Sequence, residues 1–379
     1  MQTIHWIGTG LSAIPGLRRL IELDYQVVVY NRSVDKAQQA VGDLTDKIVA
    51  FDMDDFAGYI CTDDIVVSML PGDFHVPLAQ LCIENHAHFV SSSYISDQML
   101  ALNEKAKAAN LCLVNEVGLD PGLDHSMAHA LIEEYVNSPA FDKTNEHSFT
   151  SYCGGLSEVP NEFRYKFSWS PAGVLKALKN TSVSILNGEK YTVTEPWNAV
   201  DNLPLNMSWG SETFEVYPNR DSLPFIKQYH MEDGWNIKQF VRGTLRYQGW
   251  KDAWQPIFRK IEDGISDDEI ASLSDELWKD NAIAEGEADR VVLAVTLKAE
   301  KEGETVWYQT FALDAIGNEQ GSAMAKLVSI PVSLAIEAVI NKEIGAGVTA
   351  APDKPELVAR WLEMANSTTE KFGLVNHLD

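Results

Sequence analysis

The sequence predicts an α/β protein in which a Rossmann-type, doubly wound parallel sheet precedes a mixed α/β substrate domain with a small helical insertion. Two observations lead to this prediction. Up to about residue 115, short apolar runs such as "QVVVYN" and "IVVSML" alternate with amphipathic stretches, as strands and helices do in a parallel sheet covered on both faces. Beyond residue 118 the apolar runs lengthen and are separated by turns, as in "FEVYPNRDSLPF", which is typical of a mixed sheet.

Length and composition narrow the classes of function. The 379 residues, of which 45% are hydrophobic, are enough for two or three domains. The formal net charge of −25 would repel nucleic acids and anionic membranes. The four cysteines follow no metal-ligand or redox spacing, and there is neither a basic leader nor an uninterrupted apolar stretch of about twenty residues. We therefore expect a cytoplasmic protein that binds a small molecule, with no nucleic-acid or membrane partner.

The first strand-to-helix turn carries a dinucleotide-binding pattern, G-x-G-x-x-A. The first glycine permits a tight turn, the second lets the backbone approach a pyrophosphate, and the alanine allows close helix packing. A plain strand-to-helix turn is the alternative, but the pattern lies between a predicted strand and a predicted helix, as the fingerprint requires. We assign the turn to the cofactor with the residues Gly8, Gly10, Leu11, Ser12 and Ala13.

The end of the second predicted strand favours NADP, with NAD as the alternative cofactor. NAD-binding folds usually place an acid there for the ribose hydroxyls, whereas this chain has Asn31, Arg32 and Ser33. Arginine and serine can hydrogen-bond a 2′-phosphate, and a solvated surface charge is the other interpretation of Arg32. Asp52, after the third strand, is predicted to meet the adenine end or to start a turn.

Later strand ends are predicted to border the nicotinamide, because ligands of open parallel sheets bind at the carboxyl ends of the strands. Leu70 follows one such strand, and Ser92, Ser93 and Tyr94 follow another. A third strand, "LCLVNEV", leads into the corner "GLDPGLDH". We expect this turn to carry Asp120 into the crevice, with Pro121 as a contact of the cofactor.

The same corner has a purely structural interpretation, because Asp and Pro-Gly are common turn formers. On either interpretation, Asp124 is predicted to cap the helix that follows.

The chain is divided into a nucleotide-binding domain at residues 1–118, a substrate domain at 119–235 and 283–345, a helical insertion at 236–282, and a C-terminal segment at 346–379 that returns toward the first domain. The insertion rests on "NIKQFVRGTLRYQGWKDAWQPIFRKI" and "DDEIASLSDELWKD", which we interpret as helical. The stretch "GSAMAKLVSIPVSLAIEAVIN" predicts an apolar helix near the end of the substrate domain.

Several motifs, in order, resemble the glutamate-forming saccharopine dehydrogenases: "SSSYIS", "NEVGLDPGLDH", "SYCGGL", "YKFSWSPAGVL", "NRDSLPF" and "RGTLRYQGW". The resemblance implies a Rossmann domain, a mixed α/β domain and a small helical domain. It also implies a pyridine-nucleotide oxidation of saccharopine to glutamate and 2-aminoadipate 6-semialdehyde, and it leaves a homodimer open.

The resemblance assigns Asp120, Tyr94 and Cys153 to the reaction, which needs proton transfers when water attacks an iminium and the carbinolamine collapses. Each has a structural alternative: a turn residue, half-buried packing and a small core side chain, respectively. The substrate carries carboxylates, which arginine binds in a two-point fork, although surface ion pairing would also explain each arginine. The assigned substrate contacts are Ser93, Tyr94, Asp120, Ser170, Arg220, Arg242, Thr244 and Arg246.

A metal site is not expected. His125 and His129 lie four residues apart on a predicted helix, a spacing that can bind zinc, but no third ligand accompanies them and the reaction needs no metal. Two other functions remain open at this stage. One is the oxidation of another amino acid or polyamine conjugate, such as carboxynorspermidine, or of lysine. The other is a non-catalytic NADP sensor or scaffold.

Overall fold

The structure, a computed structural model, describes residues 2–378. The strands are β1 (Ile4–Ile7), β2 (Val27–Asn31), β3 (Ile48–Ala50), β4 (Ile65–Ser68), β5 (His88–Ser91), β6 (Cys112–Val114), β7 (Glu146–Ser157), β8 (Ser182–Leu186), β9 (Glu189–Val193), β10 (Asp201–Met207), β11 (Gly210–Pro218), β12 (Asn236–Tyr247), β13 (Asp289–Lys301), β14 (Glu304–Ile316), β15 (Gly347–Thr349) and β16 (Lys371–Asn376).

The α-helices are α1 (Ile14–Glu22), α2 (Val34–Val41), α3 (His75–Glu84), α4 (Asp97–Leu100), α5 (Asn103–Ala108), α6 (Leu123–Val136), α7 (Pro171–Leu178), α8 (Pro224–Gln228), α9 (Trp250–Ala253), α10 (Gln255–Glu262), α11 (Asp267–Asn281), α12 (Ala323–Ile340) and α13 (Pro355–Thr368). The chain forms two compact units, residues 2–126 with 319–364 and residues 127–318 with 365–378.

The first unit contains the predicted parallel sheet. Its strand order is β15-β6-β5-β4-β1-β2-β3, and every pairing is parallel. The strand order reverses direction between β1 and β4, so the carboxyl ends of these strands form the crevice in which such sheets bind ligands. The central strands β1 and β4 are buried along their whole length, which explains why apolar residues fill most of their positions. The predicted Rossmann-type sheet is confirmed.

Helix α12 corrects the sequence-based division, which assigned residues up to 345 to the substrate domain. Helix α12 belongs to the first unit because it is apolar on most sides and packs against α1. The backbone N–H of Gly16 in α1 donates to Ser329 Oγ in α12 at 2.8 Å. This helix is also long and apolar enough to cross a membrane by length and composition, but 72% of it is buried within the structure.

The contact between α1 and α12 gives a prediction about stability. A Cβ at Gly16 would collide with the carbonyl oxygen of Ser329, so we expect Gly16→Ala to force the two helices apart and cost about 1–3 kcal/mol of unfolding free energy. Thermal or denaturant unfolding measures the change. The matched control is Gly58→Ala, because a Cβ at Gly58 meets no atom within 4 Å. Equal stability of the two variants would contradict this account of the helix contact.

The second unit contains a mixed sheet in the order β10-β11-β12-β7-β13-β14-β16, with β8 paired to β12 and β9 to β8. Strands β12 and β7 run parallel, and their other neighbours run antiparallel. The predicted mixed second sheet is therefore confirmed. The C-terminal segment divides between the units: β15 extends the first sheet, whereas β16 pairs with β14 in the second.

The predicted helical insertion begins too early. Residues 236–247 form the strand β12, and helices start only at Trp250 with α9, α10 and α11. The strand is buried from Phe240 to Tyr247, with β7 along one edge and β8 and β11 along the other. Polar side chains at 242, 244 and 246 alternate with less polar residues, a period of two that is typical of a strand and that the sequence analysis did not recognise. The helices that follow bury large aromatic side chains, among them Trp250, Trp254 and Phe258.

Candidate active site

The turn after β1 has the geometry of a dinucleotide-binding loop. Gly8 has a φ of +103°, and a Cβ there would lie 3.0 Å from the carbonyl oxygen of Met69 in the next strand end. Gly10 has open space around its Cα, Leu11 is exposed, Ser12 is half-buried, and Ala13 is buried at the N-cap of α1. No side chain caps α1 and its first turn contains no acid. The N-terminus of α1 is therefore suited to an anionic group.

Of the three predicted residues at the end of β2, Asn31 and Ser33 hydrogen-bond to the backbone, whereas the third is exposed. The Asn31 side chain accepts from the N–H of Thr9 at 3.4 Å and donates to the carbonyl of Ser33 at 2.8 Å, which links the glycine loop to the end of β2. Ser33 is the N-cap of α2, and its hydroxyl accepts from the N–H of Lys36. Arg32 is exposed.

Asp52 lies in an exposed turn. Its carboxylate accepts from the N–H of Asp54 at 2.9 Å. Asp52 therefore starts a turn, and its contact with the adenine end of the cofactor stays a prediction.

The ends of β4 and β5 are connected through a histidine. His75 Nδ1 lies 2.9 Å from Ser68 Oγ, and His75 Nε2 lies 2.8 Å from Ser93 Oγ. Burial lowers the pKa of His75 to about 4. The Leu70 side chain lies beside Gly8, and Ser92 packs beside Gly118. Thus the predicted residues of three strand ends lie at the same edge of the first sheet.

Tyr94 and Asp120, which are far apart in the sequence, meet at this edge. The Tyr94 hydroxyl donates to Asp120 Oδ1 at 2.8 Å. Glu116 holds the two segments together, because its N–H donates to the carbonyl of Ser93 and its Oε1 accepts from the N–H of Ile95, both at 3.0 Å. A tyrosine hydroxyl and a carboxylate are therefore joined by a short hydrogen bond at the ligand-binding edge of a dinucleotide fold.

The corner itself is closed by its own backbone. The N–H of Gly118 donates to the carbonyl of Pro121, and the N–H of Leu123 donates to the carbonyl of Gly118. Gly122 has a φ of +146°, and a Cβ there would collide with the backbone of Gly118. The Asp120–Pro121 peptide bond is cis.

Asp124 differs from its predicted role as a helix cap. Helix α6 begins at Leu123, so Asp124 lies inside the first turn, and its carboxylate accepts from the N–H of Gly122 at 2.7 Å. It therefore closes the corner that precedes the helix. Next to it, the fully buried His125 lies 3.4 Å from the carboxylate of Glu116.

In the second unit, three predicted substrate residues share one face of a strand. Arg242, Thr244 and Arg246 alternate along β12, so their side chains point to the same side of the sheet, and all three are buried. The sequence analysis interpreted this stretch as helical, and the strand is what places these residues on one face. Cys153 in β7 pairs directly with Thr244, which places its half-buried side chain on this face as well.

Aromatic rings surround the Arg246 side chain. Its guanidinium carbon lies 4.7 Å from the ring centre of Tyr165, 5.8 Å from Tyr217 and 5.7 Å from Trp250. Nη1 donates to the carbonyl of Leu245, whereas the buried Nε has no hydrogen-bond partner among residues 2–378. Burial also raises the pKa of Tyr217 above its ordinary value. A carboxylate brought here would supply the acceptor that Nε lacks.

The remaining predicted residues are more exposed. Ser170 is an exposed N-cap of α7, whose hydroxyl accepts from the N–H of Gly173. Arg220 lies in an exposed turn after β11, where its backbone carbonyl accepts from the N–H of Val183. Arg242, by contrast, stacks its guanidinium 3.9 Å from the ring centre of Phe225.

No cluster of three or more His, Cys, Asp or Glu side chains within residues 2–378 is arranged to hold a metal ion. The two histidines considered as zinc ligands are both buried and contact other side chains. His125 faces Glu116, and His129 packs against the rings of Tyr229 and His230.

Three residues at the first-unit edge were missed by the sequence analysis as parts of the site: His75, Glu116 and the buried His125. Glu116 lies within the motif "NEVGLDPGLDH", but the motif alone does not indicate that this residue connects two strand ends. Its left-handed φ of +57°, which is unusual for a non-glycine residue, is known only from the structure. His75 is a lone histidine at the start of a helix. No sequence signal distinguishes it from a histidine in the core.

Two family models match the chain. The saccharopine dehydrogenase NADP binding domain matches residues 4–114, and the saccharopine dehydrogenase C-terminal domain matches residues 118–369. The NADP-dependent, L-glutamate-forming saccharopine dehydrogenase of Pyricularia oryzae is 29% identical over 93% of this chain and 93% of its own length. That of Schizosaccharomyces pombe is 33% identical over 66% of this chain and 56% of its own length.

A solved structure has the same fold. The structure of apo saccharopine dehydrogenase (L-Glu forming) from Saccharomyces cerevisiae has a TM-score of 0.80 and 25% sequence identity, and the match covers 99% of this chain and 100% of that one.

Proposed function

The chain belongs to the saccharopine dehydrogenase family, and from this membership we propose that it oxidises saccharopine with NADP and water to L-glutamate, 2-aminoadipate 6-semialdehyde and NADPH. It is an NADP-linked oxidoreductase that acts on a CH–NH donor. The hydrogen bond between Tyr94 and Asp120 at the carboxyl edge of the first sheet is the observation that carries the proposed chemistry.

The residues of the first turn fit the cofactor. The Gly8 position has no room for a side chain, Gly10 leaves the loop open, and the uncapped N-terminus of α1 suits a pyrophosphate. The buried Thr9 hydroxyl has no hydrogen-bond partner among residues 2–378, so it is available to a ligand oxygen. When bound, NADP accepts a hydride from the carbon next to the substrate nitrogen.

Tyr94 and Asp120 are proposed to accept and donate the protons that the reaction transfers. After hydride loss the substrate is an iminium, and the attack of water releases a proton that the Asp120 carboxylate can accept directly or through the Tyr94 hydroxyl. Collapse of the carbinolamine then requires a proton on the departing nitrogen, which the same pair can return. Cys153, which lies beside Thr244 in the second unit, is proposed to tune the reaction through the substrate and not to act as a nucleophile.

Arg246, Arg242 and Thr244 are proposed to bind the carboxylates and polar groups of the substrate. Buried guanidinium groups on one strand face provide fixed donors, which cost little to organise when a carboxylate arrives. Arg220 and Ser170 lie in exposed positions, and we keep them as predicted contacts at the rim of the substrate site.

The experiment that tests the proposed function mixes purified protein, saccharopine and NADP and follows nicotinamide absorbance together with glutamate formation. We expect NADPH and glutamate to form in equal amounts. Lysine and carboxynorspermidine serve as alternative substrates. Faster turnover of either alternative, or tight NADP binding with no turnover of saccharopine, would overturn the proposal.

Arg32 is proposed to select NADP over NAD by binding the 2′-phosphate. Losing one charge-assisted hydrogen bond costs about 1.5–3 kcal/mol, so we expect Arg32→Ala to weaken NADP binding by roughly ten- to a hundredfold and to leave NAD binding nearly unchanged. Fluorescence titrations with both nucleotides measure this. Lys105→Ala, which removes an exposed positive charge from α5, is the control and should bind NADP normally. Equal losses for NADP and NAD in Arg32→Ala would show that Arg32 does not read the phosphate.

Location and assembly are also proposals. The four cysteines form no disulfide among residues 2–378, and one of them is exposed, which supports a reducing cytoplasmic location. A homodimer is proposed, and no residues are assigned to its interface. Light scattering at micromolar concentration tests it, because a dimer has twice the 42.1 kDa mass of the chain.

A further inference from the structure

A chain of three side chains connects two strand ends of the first unit without a role in the mechanism above. Ser68 is the last residue of β4, His75 is the first residue of α3, and Ser93 follows the end of β5. The imidazole bridges the two hydroxyls, with Nδ1 2.9 Å from Ser68 Oγ and Nε2 2.8 Å from Ser93 Oγ. Both ring nitrogens therefore have a defined partner.

The burial of these groups is graded from the interior outward. Ser68 is 1% exposed and His75 is 5% exposed, whereas Ser93 is half-buried. Burial lowers the pKa of His75 to about 4, so the ring is neutral at neutral pH, with one nitrogen as donor and the other as acceptor. The two hydrogen bonds are therefore coupled, because the protonated ring nitrogen donates to one hydroxyl and the other nitrogen accepts from the second. Ser93 is thus the end of this chain that reaches toward solvent.

The backbone of Ser93 is held independently of its side chain. Its N–H donates to Ser91 Oγ at 3.0 Å, and its carbonyl accepts from the N–H of Glu116 at 3.0 Å. The next residue, Tyr94, donates to Asp120. These backbone contacts do not determine the orientation of the Ser93 hydroxyl. Its hydrogen bond with His75 does.

We propose that His75 is a positioning residue that orients the Ser93 hydroxyl toward a nitrogen group bound at the carboxyl edge of the sheet. This inference rests on the proposed function, because the nitrogen belongs either to the carboxamide of the nicotinamide or to the secondary amine of the substrate. Both sources share one chemistry, a nitrogen group that hydrogen-bonds a hydroxyl, and both belong at this edge of a dinucleotide fold. His75 acts through Ser93 and does not touch the ligand.

The test uses three single variants and one double variant of the full chain. His75→Phe keeps a ring but removes both nitrogens, His75→Gln restores a polar group near Nε2, and Ser93→Ala removes the hydroxyl. Each is measured for NADPH affinity by fluorescence titration, for kcat and KM with saccharopine, and for melting temperature. His88→Asn is the matched control, because His88 is a histidine at the opposite end of β5 whose Nδ1 accepts from the backbone of Cys112.

We expect His75→Phe and Ser93→Ala to lower the same parameter by about three- to tenfold, the range expected for one neutral hydrogen bond. The double variant should be no worse than Ser93→Ala, and His75→Gln should recover part of the loss. A loss of NADPH affinity identifies the carboxamide. A loss in kcat/KM for saccharopine at unchanged NADPH affinity identifies the amine. His88→Asn should change neither parameter.

Two results would overturn the inference: unchanged parameters in both His75→Phe and His75→Gln, or losses that multiply in the double variant, since independent effects show that His75 does not act through Ser93. If His75→Phe fails to fold, His75→Gln and its combination with Ser93→Ala provide the same comparison. The proposed function fails separately, when the unmodified protein does not oxidise saccharopine. The NADPH titrations then decide the inference alone, with a shared loss of affinity supporting it and unchanged affinity overturning it.

Discussion

Replacing Asp120 by Asn is expected to lower kcat for saccharopine by roughly ten- to a thousandfold, the range associated with a positioned proton-transfer group. The amide keeps the shape of the carboxylate and can still accept the hydrogen bond from Tyr94, which is 2.8 Å long in the structure. What it loses is the negative charge and the ability to take a proton from the attacking water. The fold of the corner should survive, because the backbone hydrogen bonds of Gly118 and Leu123 close it.

The loss should be confined to chemistry. We expect the NADPH affinity of Asp120→Asn, measured by fluorescence titration, to match that of the unmodified protein, and the melting temperature to change little. Tyr94→Phe should lower kcat as well, and combining the two changes should cost less than the product of the single losses, because the residues form one hydrogen-bonded unit. Asp97→Asn, an exposed change in α4, controls for the loss of a negative charge. Full turnover of Asp120→Asn across the pH range would make the corner a structural turn.

Truncating Arg246 to Ala is expected to raise KM for saccharopine by on the order of tenfold or more, because a charge-assisted hydrogen bond worth about 1.5–3 kcal/mol is lost. Arg246 is 5% exposed, and its Nε has no hydrogen-bond partner among residues 2–378. A buried donor without an acceptor is costly in the free protein, and a substrate carboxylate would relieve that cost. Steady-state kinetics with saccharopine measure the change.

The comparison with other variants separates substrate binding from packing. Arg246→Lys keeps a charge but lacks the two-point fork, so we expect it to recover only part of the KM loss. Arg259→Ala removes an exposed arginine from α10 and should leave KM unchanged. If Arg246→Ala keeps a normal KM but unfolds at a lower temperature, the side chain serves only to pack against Tyr165, Tyr217 and Trp250.

Features that depend on a few neighbouring residues could be predicted from the sequence. The strand, glycine turn and helix at the N-terminus form one local unit, and Gly8 has the positive φ that its place in the motif requires. The alternation of apolar runs and amphipathic stretches likewise predicted the parallel sheet, because the spacing of apolar residues along a helix or a strand follows directly from its backbone geometry. Motifs in family order gave the resemblance that the family models and the curated relatives confirm.

Tertiary structure decided what depends on distant neighbours. The chain from Asn236 to Tyr247 became a strand because β7 pairs along one edge and β8 and β11 pair with parts of the other. This pairing put Arg242 and Arg246 on one strand face and Cys153 beside Thr244. Helix α12 joined the first unit because Gly16 lets it approach α1. Tyr94 met Asp120, and His75 met Ser93, only because parallel strands bring their carboxyl ends to one edge of the sheet. The local propensity of a segment does not predict such contacts, because they lower the free energy only when separate segments pack together and exclude water.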